Sequence, residues 1–191
     1  SFAGRYCFGG FMFDVKGSCA FAPEDRLRFL IGIFNSKVTP VYIEALNPTT
    51  TTQVGDLKRI PLIIPDTNSL NQISTTVEEC IEISKSEWDS FEFSWDFVRH
   101  PLVSNQQYTS KYHPKESFSP EHYLADAYQM WAVTSERRFQ QLQANEEKLN
   151  HIFIDIYGLH DELTPKVEDG EVTVRKADLG RDIRSFISYA V

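Results

Sequence analysis

Cysteine is scarce in this chain of 191 residues, and its spacing matches no known framework. Cys7, Cys19 and Cys80 are odd in number and contain no CxxC pair. The sequence therefore suggests neither a disulfide scaffold nor a zinc site, and we interpret all three residues as thiols of the core. The five histidines also lack HxH and HExxH spacing, so we expect no metal site.

Long apolar runs are absent as well. No stretch approaches the roughly 18 consecutive apolar residues of a membrane span, and the first five residues do not begin a signal peptide. The sequence predicts a soluble, cytoplasmic protein without membrane contact. It begins with Ser1 rather than Met, within a pattern typical of a strand, so we interpret it as a fragment of a longer chain.

Catalytic and cofactor motifs are missing too. There is no GxSxG turn for a nucleophile, and Gly9-Gly10 lacks the GxGxxG or GxxxxGK spacing of a phosphate or cofactor loop. The many carboxylates fall mostly on the polar faces of predicted helices, where solvent exposure is the simpler interpretation. We therefore predict no catalytic residue and no cofactor-binding residue in this chain.

Charge is distributed unevenly along the sequence. The formal net charge is −8, which by itself argues against nucleic-acid binding. Residues 1–66, however, carry seven basic against six acidic side chains, so the remaining residues carry −9. The nearly neutral first part could contact phosphates, whereas the acidic remainder would be repelled by them and would face solvent or protein.

The first third of the sequence predicts a small mixed α/β fold. Residues 5–23 are rich in aromatic and β-branched residues and indicate a strand, a turn and a second strand. After Pro23, four apolar residues recur at helical spacing: Leu27, Leu30, Ile31 and Phe34. Residues 41–46 fit either a strand or a helix, and we favour the helix.

Two long amphipathic helices follow. One begins near Asn68, with Asp66 or Thr67 as its cap, and its apolar residues, including Ile73 and Val77, recur at helical steps as far as Trp88. The other begins after Ser119, has an apolar side that includes Trp131 and Phe153, and runs to Tyr157, where Gly158 ends it. Together they predict an antiparallel helical spacer, interrupted by an aromatic excursion at residues 91–119. A short strand at 171–175 and a further helix complete an α+β chain with three parts: residues 1–66, 67–160 and 161–191.

Several stretches resemble known proteins. Residues 29–65, "FLIGIFNSKVTPVYIEALNPTTTTQVGDLKRIPLIIP", are similar to the closing segment of target-recognition domains in bacterial restriction-modification proteins. "WDSFEFSWDFVRHPL" (88–102), "NEEKLNHIFIDIYGLHDELTPKV" (145–167) and "DIRSFISYAV" (182–191) resemble the C-terminal half of the adenine-specific DNA methyltransferases of bacteriophage-exclusion (BREX) systems. The resemblance touches most of the chain.

The resemblance implies a role in choosing the DNA target rather than in catalysis. Such enzymes grip a flipped adenine with Asn-Pro-Pro-Tyr or Asn-Pro-Pro-Phe. Here Asn47-Pro48 is followed by Thr49-Thr50, so the second proline and the stacking ring are missing. We therefore interpret Asn47-Pro48 as a turn. The parent protein is expected to use S-adenosylmethionine, and this segment is expected to be inactive alone.

Basic residues in the first part are the candidates for contact with double-stranded DNA. Arginine and lysine side chains reach phosphates and guanine edges, and the candidates are Arg5, Lys16, Lys37, Lys58 and Arg59. Arg26 and Arg28 are weaker candidates because a salt-bridged helix face explains them equally well. An alternative function stays open: the acidic helices could recruit other subunits of a defence complex.

Overall fold

In a computed structural model of the protein, the structure describes residues 3–7, 9–10, 12–13, 18–47, 49, 52–104 and 120–191. The helices of these described residues, in chain order, are α1 (Glu24–Asn35), α2 (Val38–Leu46), α3 (Val54–Leu57), α4 (Thr67–Trp88), α5 (Pro101–Ser104), α6 (Pro120–Tyr157) and α7 (Leu179–Ala190).

The predicted α+β class is wrong, because no strand occurs in the part of the chain that the structure describes. The described part of residues 5–23 has no regular secondary structure, and residues 171–175 are irregular apart from a turn at Glu171 and a bend at Val174. Aromatic and β-branched residues favour extended backbone, but a strand also needs a partner. Here the neighbour is a helix: Asn35 of α1 accepts a hydrogen bond from Gly4 N (3.0 Å) and donates one to Gly4 O (3.1 Å).

The predicted helices are confirmed, including α2, for which the sequence left a strand open. Asp66 caps α4 by accepting hydrogen bonds from the backbone N–H groups of Asn68 (2.8 Å) and Ser69 (3.1 Å). Gly158 ends α6 with a φ of 66°, a conformation that favours glycine because it has no Cβ. Asp178 caps α7 by accepting from Arg181 N (2.7 Å).

The chain divides into two compact units. The first comprises Ser1–Ile81 and Ala144–Glu168, and the second comprises Glu82–Gln143 and Asp169–Val191. The long helices α4 and α6 each contribute residues to both units, so neither unit is a continuous stretch of sequence.

The first unit has a continuous apolar core between α1, α2, α4 and α6. Gly32 of α1 lies close to the other helices, since a Cβ there would be 3.2 Å from side-chain atoms of Phe153 and Val77. Low-numbered residues of α4 pack with high-numbered residues of α6, so the two helices are antiparallel within this unit. The buried members are Phe29, Ile33, Val38, Ile73, Val77, Leu149, Phe153 and Ile154.

The buried face of α1 differs from the predicted one. Phe29 and Ile33 are buried, whereas the four residues predicted from spacing are only half-buried. The N-terminal segment explains the second face, because a Cβ at Gly4 would lie within 4 Å of Phe34 and Ile31 side-chain atoms. Helix α1 therefore packs on two sides, which periodicity alone does not distinguish.

The prediction of core thiols is also wrong for two of the three cysteines. Cys7 and Cys19 are exposed, and Cys80 is partly buried beside the core of the first unit. Burial raises the pKa of the Cys80 thiol to about 12, which makes it unreactive at neutral pH.

The second unit has a smaller apolar cluster and several buried charged groups. Phe91, Leu102 and Trp131 form the cluster. Glu87 is buried and accepts a hydrogen bond from Arg175 Nε (2.7 Å). The Arg175 guanidinium also lies 3.8 Å from the Phe91 ring centroid, so one cation links a carboxylate and an aromatic ring.

Asp182 is the other buried acid of this unit. Its carboxylate accepts hydrogen bonds from Trp131 Nε1 (2.9 Å), Asp178 N (3.0 Å) and Arg181 Nε (2.7 Å). Each carboxylate oxygen therefore has a donor, which is the usual condition for burying a charge. Within the described part of the aromatic excursion, Phe91, His100 and Leu102 are buried, whereas Trp95 is fully exposed.

Candidate nucleic-acid interface

Asn47 holds a turn in the first unit. Its Nδ2 donates to Asp56 Oδ2 (2.7 Å), and its Oδ1 accepts from Thr49 N (3.0 Å) and Thr49 Oγ1 (2.6 Å). The nitrogen and the oxygen of this amide are both used in these bonds, whereas an Asn that holds a flipped adenine must bond to the base. The interpretation of this position as a turn is therefore supported by its contacts.

The same carboxylate organises the short helix α3. Asp56 Oδ2 accepts from Gln53 N (2.9 Å), and the Gln53 side chain caps the N–H group of Asp56 in return. Hydrogen bonds from Asn47 and from the Gln53 backbone lower the pKa of the Asp56 carboxyl. Asp56 thus stays charged at neutral pH and fixes the residues that follow α3.

Lys58 and Arg59 follow α3 directly and are both exposed. Their backbone is fixed, since Lys58 N donates to Val54 O (3.1 Å) and Arg59 N donates to Asp56 O (3.0 Å). The next residue, Ile60, is buried. This arrangement holds two adjacent cations at the surface, and the charge of Arg59 also helps to lower the pKa of the Asp56 carboxyl.

The residues that follow this turn are hydrogen-bonded to α6. Tyr157 of α6 donates its hydroxyl to Pro61 O (2.6 Å) and accepts from Ile63 N (3.3 Å). Burial raises the pKa of this phenol, so it is neutral and able to donate at physiological pH. The contact fixes the residues after Arg59 to the first unit.

Lys37 lies between α1 and α2 and is only half-exposed. Its backbone N donates to Asn150 Oδ1 (2.9 Å), and its ammonium donates to the carbonyl oxygen of Lys166. Asn150 also donates to Pro165 O (3.1 Å). The structure therefore uses Lys37 to join α2, α6 and the segment after α6.

Arg5 is exposed in the N-terminal segment. Its neighbours fix that segment to α1: Gly4 bonds to Asn35, and Tyr6 donates its hydroxyl to Glu24 Oε1 (2.8 Å). Arg5 thus lies between a residue bonded to the C-terminal end of α1 and a residue bonded to its N-terminal end. Lys16, the remaining candidate, lies outside the described residues.

The described candidates therefore lie in three places: Arg5 in the N-terminal segment, Lys37 between α1 and α2, and Lys58 with Arg59 after α3. Arg28, the weaker candidate, forms an ion pair with Glu78 (3.0 Å). This pair confirms the salt-bridged helix face as an explanation of that residue.

Sequence reasoning missed one arginine of the second unit. Arg138 of α6 is half-buried and bonds to Ser86 Oγ of α4 (2.7 Å). The signal was present in the spacing: Trp131, Ser135, Arg138 and Leu142 recur at three- and four-residue steps on the buried face of α6. A charged residue at that position points to a polar contact with a neighbouring helix.

Within the described ranges, no three or more His, Cys, Asp or Glu side chains are grouped so that they could hold a metal ion. The helices of these ranges include none with the length and apolar composition of a membrane span.

The chain is similar along its length to two bacterial proteins. It is 39% identical over all 191 residues to the adenine-specific methyltransferase PglX of Lacticaseibacillus casei (strain Zhang). It is 27% identical over 170 residues, or 87% of the chain, to the adenine-specific methyltransferase BrxX of Escherichia coli O9:H4 (strain HS). The matched regions are 15% and 12% of those proteins. No protein-family model matches the chain.

Proposed function

We propose that this chain is a DNA-recognition and spacer segment of an adenine-specific methyltransferase of the bacteriophage-exclusion type. It is similar over its whole length to one segment of such an enzyme. The observation that carries the proposal is the 39% identity over the whole chain to 15% of PglX. Binding of S-adenosylmethionine and the methyl transfer then belong to other parts of the parent protein.

The two halves of this role correspond to the parts expected from the sequence. Residues 1–66 contact DNA, and α4 and α6 act as the spacer. The lengths of these helices support the second assignment, since α6 has 38 residues and is therefore about 57 Å long. A helix of that length can hold a recognition segment at a fixed distance from the catalytic part.

Lys58 and Arg59 are the DNA contacts that the geometry supports best. Both are exposed on a turn whose backbone is fixed by Asp56 and Ile60. A rigid support keeps the positions of the two cations constant relative to the duplex, so little conformational entropy is lost on binding. Arg5 is exposed as well, whereas Lys37 contributes mainly to the fold.

The test is methylation sequencing of genomic DNA from cells that carry the full-length parent, either wild type or Lys58→Glu with Arg59→Glu. We expect loss or relaxation of an N6-methyladenine motif, because two phosphate or base contacts become repulsive. The control is Lys148→Glu with Arg184→Glu, which makes the same charge change at two exposed residues outside the proposed interface. Unchanged methylation in the first variant, with normal protein levels, would contradict the proposal.

A second function is supported by the surface of the second unit. Three aromatic residues are exposed there, Trp88 (47%), Phe93 (52%) and Trp95 (101%), and the unit has 13 acidic against ten basic residues, a net charge of only −3. Exposed aromatic side chains on a weakly charged surface favour contact with protein. The variant Trp95→Ala in the full-length parent is then expected to reduce co-purification of another defence subunit without changing the methylation motif. Unchanged co-purification would reject this function.

A further inference from the structure

The second unit contains an open groove with a volume of about 500 Å³. Its walls come from α4, from the segment that follows α4, from α5 and from α6. The hydroxyl and guanidinium groups that line it belong to Ser86, Ser90, Arg99, Thr134 and Arg138, among others. The ring of Trp131 forms an apolar part of the wall. All of them lie within one compact unit.

Arg138 is half-buried in this groove without a carboxylate partner among the described residues. Its Nη2 donates to Ser86 Oγ (2.7 Å), its Nη1 is 3.4 Å from Ser90 Oγ, and its guanidinium lies 5.7 Å from the Trp131 ring centroid. A guanidinium has five N–H donors in a fork that fits carboxylate or phosphate oxygens. Partly buried charges are normally paired, so the remaining donors indicate a site for an anion.

The acids near Arg138 are mostly committed to other cations. Glu87 is bonded to Arg175, and Asp89 accepts from Lys85 (2.6 Å) and from Ser94 (2.7 Å). Burial lowers the pKa of the Arg138 guanidinium, as expected where no bonded carboxylate offsets the desolvation. Glu82 is the exception, because it is exposed at the rim of the groove.

We propose that this groove binds a phosphate group, with Arg138 as the principal ligand, Ser86 as a hydroxyl donor and Arg99 at the rim. The Ser86 hydroxyl accepts from Arg138, so its own proton is available to an anion. Phosphate is favoured over a carboxylate because two arginines and several hydroxyls offer more donors than a carboxylate accepts. The phosphate group belongs either to the backbone of DNA or to a small phosphate compound.

The experiment uses the chain of 191 residues and measures binding of inorganic phosphate and of short duplex DNA by calorimetry. The variant is Arg138→Gln, and the matched control is Arg137→Gln, which removes the same charge from the neighbouring, exposed residue. We expect Arg138→Gln to weaken binding at least about tenfold, as for the loss of hydrogen bonds to a charged group. Arg137→Gln should change the affinity by less than about twofold.

A second variant tests the site without replacing the half-buried Arg138, so it does not risk unfolding the chain. Glu82→Gln removes an exposed carboxylate from the rim, so phosphate affinity should rise by about twofold or more. Circular dichroism of each variant checks that the helices are retained.

The two ligands distinguish the source of the phosphate group. Binding of duplex DNA that depends on Arg138 and becomes less salt-dependent in Arg138→Gln, by about one unit of slope, identifies a backbone phosphate. Binding of inorganic phosphate alone identifies a small phosphate compound. Absence of saturable binding of both ligands, or equal effects of the two arginine variants, would overturn the proposal. The result does not depend on whether residues 1–66 bind DNA.

Discussion

Phe153, Ile33 and Ile73 of the first unit are fully buried among other apolar side chains, whereas the buried residues of the second unit include Glu87 and Asp182. The first unit is therefore stabilised mainly by removal of apolar surface from water, which needs no particular partner. The second unit depends on specific donors and acceptors, because a buried charge without its partner is costly.

This difference predicts that the two units respond to different changes. Loss of apolar volume should affect the first unit most, and loss of one polar partner should affect the second. Three substitutions test the comparison. Hydrogen exchange measured for peptides of each unit shows where the stability is lost.

The largest effect is expected from Phe153→Ala. Phe153 is completely buried and packs against Phe29, with ring centroids 5.9 Å apart. Removing the ring leaves a cavity, and the free energy of unfolding should fall by about 3–5 kcal/mol. Urea unfolding measures the change, and Phe21→Ala is the control because Phe21 is 84% exposed. Similar small changes in both variants would contradict an apolar basis for the first unit.

An intermediate effect is expected from Glu87→Gln in the second unit. The substitution keeps the shape of the side chain but removes the charge that accepts from Arg175 Nε. Because Arg175 is 38% exposed, water compensates part of the loss, and the cost should be about 1–2 kcal/mol.

The control for this substitution is Glu92→Gln, at an exposed residue of the same unit. Faster hydrogen exchange should be confined to peptides of the second unit in Glu87→Gln. If the two glutamate variants were equally stable, the Glu87 pair would not contribute to the second unit.

The smallest effect concerns pH and His100 of the second unit. His100 is buried, its Nδ1 accepts from Leu102 N (3.3 Å), and its ring lies 5.5 Å from that of Phe186. Burial lowers the pKa of this imidazole, although Asp182 and Glu92 act in the opposite direction. Protonation would also convert Nδ1 from an acceptor into a donor that faces another donor.

The sign of the pH effect follows from proton binding. With its folded-state pKa below the usual value of about 6.5, His100 binds fewer protons in the folded chain than in the unfolded chain. Its contribution is complete above about pH 6.5 and is lost as the pH falls below that value. Thermal melting between about pH 7.5 and about pH 5.5 should show a decrease that His100→Gln reduces.

The matched control is His151→Gln in the first unit, where His151 is exposed. This variant should keep the pH dependence of the wild type. The same loss of pH dependence in both histidine variants would show that burial of His100 is not its cause.

The helices could be predicted because their signals are local. The cap at Asp66, the apolar spacing of Ile73 and Val77 and the stop at Gly158 all involve residues within a few positions of each other. The strand predictions were wrong for the same reason. A strand requires a partner that the local sequence does not specify, and the N-terminal segment contacts α1 instead.

The candidate sites divide in the same way. Lys58 and Arg59 could be named as candidates from their charge alone, but the sequence did not show that Asn47 and Asp56 fix their turn. The groove around Arg138 was not predicted. Its hydroxyl partners Ser86 and Ser90 are 52 and 48 positions away in the sequence.

The ends of α4 and α6 and their apolar faces follow from the amino-acid sequence, since helical periodicity and capping are properties of neighbouring residues. Which polar groups are buried together depends instead on how the helices pack. Glu87 and Arg175 are 88 positions apart, and Trp131 and Asp182 are 51 positions apart. Pairs of this kind form only when packing of the helices brings their donors and acceptors within hydrogen-bond distance.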